Sequence, residues 1–429
     1  MHVCGQLKNN FSIITLKKAK MAEYLEETLE QLIGNAKLSN DFFSTKYKVR
    51  YSASPTIVPG QVIQMRLPVY DDRMLDFNSL FMCFYLQGSS ADPNACIDGQ
   101  TIQTVIDRVR VLSDSTVLCD IGECALLFQS LYDINTEVNI STAFRTQVGD
   151  MTGPEKIAAF ALAAPGRQYI AKLAPRDSYL NTKALLPIGR MSTITIELTF
   201  TSAAKSIYSP LNTLASTWIM TNFELHGDWI QSAKLSSYFS SHPFRITVTD
   251  YSQRLNSLLS ATTGQIRISS ANTSLDKVYT ILRDDASSIA LNVQNKNRVA
   301  KAGNLLMYLN VLCNGVWQFS DNVLAGGTNQ SWIIFEEACE AWPPLKTAAF
   351  FTTTGFVTGT QNRLMLNFQN APVAFCQAMQ SGVNTAKLNT DIIIQVLFGS
   401  AMTARVDSFL CSSVTISLPR VGGDLKMEN

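Results

Sequence analysis

Charge is what this sequence has least of. Asp, Glu, Lys and Arg together make up 16% of its 429 residues, against about 25% in an average soluble chain. With 46% hydrophobic residues the chain is not disordered, and it is expected to bury surface beyond its own core, most simply against copies of itself. The formal net charge of +1 excludes bulk electrostatic wrapping of nucleic acid. Gly (22) and Pro (14) are not enriched, which removes low-complexity and collagen-like readings. No apolar run reaches the ~18 residues of a membrane-spanning helix. Residues 1–20 lack the roughly 7–15-residue apolar segment of a secretory signal, so the expectation is a protein made inside a cell and not secreted through a signal peptide. Met21 offers an alternative start, with residues 1–20 as an extension. The sequons at Asn10, Asn139, Asn272 and Asn329 then read as chance matches.

Catalytic chemistry is equally sparse. The nine cysteines (Cys4, Cys83, Cys96, Cys119, Cys124, Cys313, Cys339, Cys376 and Cys411) are an odd number with no CxxC pair. They indicate neither a disulfide framework nor a zinc site; buried free thiols in a reducing compartment are expected. His2, His226 and His242 have no acid or cysteine spacing that would build a triad or a metal centre. Two SxxK strings, Ser202-Ala-Ala-Lys205 and Ser274-Leu-Asp-Lys277, lack the companion motifs of a serine nucleophile and read as structural. Phosphate-loop, dinucleotide, zincin and nucleophile-elbow motifs are missing. The acid pairs Asp71-Asp72 and Asp284-Asp285 stand in turn-like contexts, where carboxylates are solvated. No catalytic, cofactor or metal residue is assigned, and neither enzymatic activity nor a small-molecule substrate is expected.

What is present is periodicity. Leu25, Leu29, Leu32, Ile33 and Ala36 fall on one stripe of a 3.6-residue repeat, with Glu23, Glu26, Glu27 and Glu30 off it. This predicts an amphipathic helix over 21–38 whose stripe needs cover, from its own domain or from a neighbouring subunit. Lys17, Lys18 and Lys20 form the one basic cluster. Past residue 45 the period becomes two, first at Ile63, Met65 and Leu67. The continuous apolar run 79–87 predicts a strand covered on both faces. Residues 104–112 and 116–119 lead into a helix near 122–132, marked by Cys124, Leu127, Phe128 and Leu131.

The cleanest strand is 192–202. Ile194, Ile196, Leu198 and Phe200 point inward; Thr193, Thr195, Glu197, Thr199 and Thr201 point outward. Glu197 needs a partner if that face packs. Residues 217–225 and 228–231 continue as strand, and 232–242 reads as a connection. Alternation resumes at Phe244, Ile246 and Val248, then at Ile266 and Ile268. A buried-type run, 304–312, precedes an Asn314-Gly315 turn. A helix follows over about 329–341, carried by Trp332, Phe335, Ala338 and Cys339, and the last strands are 363–368, 391–398 and 413–419. Each half thus repeats strands, buried run, turn, short helix and strands, with no βαβ rhythm. The prediction is an all-β chain of two tandem antiparallel jelly-roll β-sandwiches, 46–231 and 243–421, joined by 232–242. An arm (1–45) precedes them and a tail (422–429) follows.

The residues at the strand junctions carry a resemblance. Thr56-Ile-Val-Pro-Gly60 precedes the strand ending at Leu67-Pro68, Ile106-Asp-Arg-Val-Arg110 leads toward the first helix, and Leu186-Pro-Ile-Gly189 stands ahead of 192–202. In the second half Thr273-Ser-Leu-Asp-Lys277 precedes a strand at 278–283, and Ser381-Gly-Val-Asn-Thr385 leads into 391–398. In this order, over 46–421, the chain resembles the double jelly-roll major capsid proteins of tailless icosahedral DNA viruses, of the polinton-like virus and virophage type. It is short for that family, so tower-like loop insertions should be small. The resemblance implies a structural virion protein: a homotrimer whose six jelly rolls make a pseudo-hexagonal capsomer of an icosahedral capsid, beside neighbouring capsomers, penton and minor capsid proteins. It gives Leu25, Leu29, Leu32 and Ile33 a role in assembly, with the arm touching an internal membrane or the genome. Two other readings stay open. One is a tandem jelly-roll binding module, a lectin or receptor-binding protein, although no DxDxDG-type calcium loop is present. The other is a β-sandwich glycosidase, for which no acid pair stands out.

Overall fold

The computed structural model describes residues 43–50, 56–135, 142–173, 185–191, 193–231, 244–283, 290–294, 296, 306–313, 315–317, 331–348, 363–369, 382–386, 392–418 and 426–428. The amphipathic segment 21–38, with Leu25, Leu29, Leu32 and Ile33, lies outside them, as do His2, His242, Cys4, Cys376, Asp284-Asp285 and the connection 232–242.

The first half holds β1 (Phe43–Arg50), β2 (Thr56–Ile57), β3 (Val62–Arg66), β4 (Arg73–Ser89), β5 (Cys96–Ile97), β6 (Ile106–Ser113), β7 (Thr116–Ile121), β8 (Arg167–Lys172), β9 (Leu185–Leu186), β10 (Ile194–Phe200), β11 (Ile207–Tyr208) and β12 (Thr217–Gln231). One sheet runs β1-β12-β4-β8, with β2 on β12 and β9 on β4; the other runs β3-β10-β6-β7; β5 and β11 form a short ribbon. Every pair is antiparallel. The period-two reading of β10 holds: Ile194, Ile196, Leu198 and Phe200 are buried and the residues between them are half-exposed. Facing them from β4 and β12 are Phe84, Trp218, Phe223 and Leu225. Phe200 meets Trp218 and Phe223 edge-on, with ring centroids 6.1 Å apart in each case. Glu197 has partners on the outer face, Arg110 at 3.0 Å and Gln64 at 2.8 Å.

The second half holds β13 (Phe244–Ile268), β14 (Leu275–Arg283), β15 (Leu306–Cys313), β16 (Val316–Trp317), β17 (Leu364–Asn367), β18 (Ile392–Leu418) and β19 (Lys426–Glu428). Their order is β16-β15-β18-β14-β17, with β13 and β19 also on β18. Two expectations need correcting here. The separate strands read at 244–248 and 266–268, and at 391–398 and 413–419, are in fact two very long strands, β13 and β18, paired from Phe244↔Leu418 to Ile268↔Ile392. In mid-strand Arg254, Leu255, Thr262 and Thr263 are exposed. The alternating pattern lapses at these positions. Likewise 217–225 and 228–231 are one strand, β12, whose register slips beside Asn222 and Gly227; Asn222 takes a positive φ of 50°, as bulges do. The expected boundaries also move. β1 begins at Phe43, inside the arm of 1–45, and residues 426–428 of the expected tail add β19 to the sheet edge.

Among the described residues five α-helices punctuate the strands: α1 (Cys124–Asn135), α2 (Thr142–Gln147), α3 (Gly153–Phe160), α4 (Ala203–Ser206) and α5 (Ser331–Ala341). α1 is buried nearly all round, as a helix must be when it is apolar on several faces. It lies where the two halves meet. Tyr279, Phe409, Cys411, Ala341 and Trp342 of the second half belong to the same packed cluster as Ile121, Leu127 and Leu131 of the first. A separate cluster with Ile266, Val278, Val311, Leu366, Ile394 and Val406 fills the second jelly roll itself. β14 and β18 are therefore apolar on both faces.

The junction motifs have physical reasons. A Cβ on Gly189 would sit 2.5 Å from the Tyr70 carbonyl oxygen, so the Leu186-Pro-Ile-Gly189 turn closes on the chain at Tyr70 only with glycine. In the second half the two quoted motifs are one feature. Leu275 and Val383 exchange backbone hydrogen bonds of 2.8 and 2.9 Å, the Gly382 N–H donates to Ser274 Oγ, and a Cβ on Gly382 would fall 2.4 Å from the Leu275 carbonyl oxygen.

Candidate assembly surface and the joint between the jelly rolls

The run 79–87 is fully covered on one face only. Leu80, Met82, Phe84 and Leu86 enter the core, while Phe81, Cys83 and Tyr85 stay half-buried. This corrects the two-sided burial expected from the sequence: the other face is the outer surface of the β1-β12-β4-β8 sheet, which the described residues do not fully cover. Ile170 of β8, Ile219 and Ile230 of β12 share that face, and Ile219 is 37% exposed. Phe81 stacks on His226, ring centroids 4.9 Å apart and planes within 10°. Glu224 joins them, 3.1 Å from His226 Nε2 and 2.6 Å from Lys48 Nζ. Burial raises the Glu224 carboxyl, but Lys48 and His226 outweigh it and hold the group below its ordinary range. The outer face of the β3-β10-β6-β7 sheet is built differently. It carries Gln64, Arg66, Arg108, Arg110, Asp120 and Glu197, with Arg108 gripping Asp120 through bonds of 2.7 and 2.6 Å. Antiparallel sheets that face water look like the second surface; the first sets half-buried Phe81, Tyr85 and Ile170 and the exposed Ile219 among Lys172, Glu224 and His226.

The joint between the halves carries a buried ionic network. Glu123, held in a positive-φ conformation (46°) just after β7, lies 2.9 Å from Lys205, 2.7 Å from Arg405 and 3.4 Å from Arg283. Asp407, wholly buried, takes Arg283 at 2.7 Å and Arg405 at 3.1 Å, and accepts from Gln253 at 2.9 Å. Burial pushes the Glu123 carboxyl up, but Arg283, Lys205 and Arg405 together bring it down to about 2. Sequence reasoning found none of this network except Lys205, because the cations around Glu123 lie 82 to 282 residues from it along the chain.

The remaining sequence candidates fall in place as structure. Ser202 caps α4 by accepting from the Lys205 N–H, and Lys205 Nζ reaches Asp107 and Glu123. Ser274 donates to the buried Asp276, and Lys277 Nζ stands 5.4 Å above the Trp342 ring. Asp71-Asp72 occupies a turn. The seven described cysteines are free thiols, all buried but Cys83. Among the described residues no cluster of His, Cys, Asp or Glu is disposed to hold a metal ion, and no helix is long and apolar enough to cross a membrane.

No family model and no curated protein matches this chain. Solved structures do. PBCV-1 VP54, fitted into a cryo-EM reconstruction of the virophage Sputnik, superposes with a TM-score of 0.63 at 8% identity, over 91% of this chain and 98% of its own. The cryo-EM structure of the Sputnik virophage gives 0.57 at 10% identity, covering 90% and 88%. The Faustovirus major capsid protein gives 0.56 at 10%, covering 88% and 90%. Likeness that spans nearly the whole of each chain at so low an identity is likeness of fold, and the fold of this protein is the double jelly roll of viral major capsid proteins.

Proposed function

We propose that this chain is a viral major capsid protein, a structural subunit that trimerises into pseudo-hexagonal capsomers of the icosahedral shell of a DNA virus. The observation that carries the reading is the half-exposed apolar face of Phe81, Tyr85, Ile170 and Ile219 on a chain whose whole described length is a double jelly roll. A subunit interface covers such a face, and obligate interfaces of this kind bury about 2,000–5,000 Å². Neighbouring capsomers, penton and minor capsid proteins are the further partners on this reading. Residues 1–42, with Leu25, Leu29, Leu32 and Ile33, serve assembly and reach an internal membrane or the genome.

Two measurements test it. The full chain should sediment as a trimer or larger. The double substitution Phe81→Glu and Tyr85→Glu should leave a monomer with an unchanged β-sheet circular dichroism spectrum, because burying the new carboxylates costs about 3 kcal/mol or more, over roughly 100-fold in association. A variant that still sediments as a trimer places the interface elsewhere; a wild-type chain that is monomeric at all concentrations sinks the capsid reading. Deleting residues 1–42 should leave folded trimers that fail to close into shells. If the truncated chain does not fold, the arm belongs to the first jelly roll and its assembly role is wrong.

A further inference from the structure

The two ends of the first jelly roll differ in chemistry. At one end β1 begins at Phe43 beside Gln231 of β12, which pairs in turn with Arg73 of β4; the charged Asp71, Asp72 and Arg73 stand there. At the other end Ser89 closes β4 against Thr217, the first residue of β12. Arg167 opens β8 against Leu86, and β2 lies on Met220 and Thr221. Four connections therefore gather at that second end: 58–61, 89–94, 161–166 and 209–216. The 15 residues of β12 put it roughly 45 Å from Phe43.

The one charged residue in these four connections is Asp92, and it is 3% exposed. What they show to water is apolar. Val58 is 45% exposed, Leu162 44%, Leu211 68% and Leu214 88%, with Ala163, Ala164, Pro165 and Pro210 exposed beside them. Among the described residues Leu214 and Leu211 are the most exposed large hydrophobic side chains. The loop that carries them is firmly held. The Asp92 carboxylate accepts from Ser209 Oγ at 2.7 Å, from the Leu211 N–H at 2.9 Å and from the Asn94 N–H at 2.9 Å. The Ser90 and Ser216 hydroxyls meet at 2.6 Å. From the second half, the Leu291 carbonyl accepts from the Ser209 N–H at 2.7 Å. The buried Lys296 donates its N–H to Asp98 and its Nζ to the Ile207 carbonyl. A buried carboxylate and a strap from the other jelly roll thus fix two leucines in water, forgoing the free energy that their burial would return.

What fits this end follows from what it lacks. It shows no cation to nucleic acid phosphates and no charge of either sign to match a charged protein surface. Its apolar groups stand on loop tips and line no groove, and two convex tips from copies of this chain bury little of each other. A lipid bilayer is soft enough to take in convex tips, demands no hydrogen bond from them, and is apolar just below its headgroups. We propose that this end of the first jelly roll is a membrane-docking tip, which inserts Leu211 and Leu214, flanked by Leu162 and Val58, into net-neutral lipid. The proposal goes beyond the capsid reading and does not rest on it. Residues 1–42 join β1 at the opposite end, so substitutions in 209–216 separate the tip from any lipid contact of the arm.

Flotation of the unassembled full chain with phosphatidylcholine vesicles, at about 0.15 M and about 0.5 M NaCl, tests it. The wild-type chain should float equally well at both salt concentrations, and no better when phosphatidylserine is added. The double substitution Leu211→Asn and Leu214→Asn should cut the bound fraction at least about tenfold. Its circular dichroism should not change, because neither side chain is in the core. Leu255→Asn, which alters a leucine of β13 that is 58% exposed, should bind as the wild type does. A wild-type chain that does not float overturns the tip. So does binding that needs phosphatidylserine and vanishes at the higher salt, a double variant that floats like the wild type, or an equal loss in Leu255→Asn. Should the double variant misfold, Leu214→Ser alone decides: its bound fraction should fall roughly fivefold, and no fall overturns the proposal.

Discussion

Arg283→Met should cost about 3–5 kcal/mol of stability. The Arg283 side chain is only 4% exposed, and its guanidinium lies 2.7 Å from an Asp407 carboxylate that has no exposure at all. Removing it strips a buried anion of its closer cation, leaving Arg405 at 3.1 Å, and also takes one of three cations from Glu123. The double variant Arg283→Met, Asp407→Leu should recover most of the loss, since a buried pair replaced as a unit by apolar groups of similar volume is often neutral. Urea titration of all three proteins checks both statements. A loss below about 1 kcal/mol in the single variant would mean that Arg405 alone satisfies Asp407.

Phe200→Ala should cost about 3–5 kcal/mol. The ring is 2% exposed at the centre of the first sandwich, held by Trp218 and Phe223 from the opposite sheet, so the cavity has rigid walls and cannot collapse. A much smaller measured loss would mean that β10 is shifted by one residue, which would turn Thr199 inward and Phe200 out.

These two residues mark the limits of what could be read before folding. Phe200 was legible because β10 has one wet face and one dry face, and threonine and glutamate alternate with the inward Ile, Leu and Phe. α5 was legible for the same reason at a 3.6-residue period, whereas α1, marked by Cys124, Leu127, Phe128 and Leu131, is buried nearly all round. The Arg283–Asp407 pair was not, since ion pairs made across 124 residues leave no local pattern. The long strands β13 and β18 were read as fragments because exposed residues in the middle of β13, Arg254, Leu255, Thr262 and Thr263, interrupt its alternation. Phe81 and Tyr85 are an intermediate case. Their apolar run was plain, but which side of it the rest of the chain would leave bare depended on the sheet order. The low charge content was the one global sign that some face of the molecule would be spare.

The position of β18 governs when the molecule can form. It pairs with β13, β14, β15 and β19, so the second sheet is organised around the last long strand to be synthesised. Its ladder with β13 joins residues as far apart as Phe244 and Leu418, contacts of high sequence separation that fold slowly because a long loop must close before any pairing is gained. A nascent chain emerging from the ribosome holds β13, β14 and β15 without their common neighbour until residues 392–418 are free. Through that interval the apolar edges of three strands are exposed together, a hazard that grows with the number of chains being made side by side. Folding of the second half thus waits for β18, and Tyr279 and Ile281, which complete the core shared with the first half, are secured only when it ends.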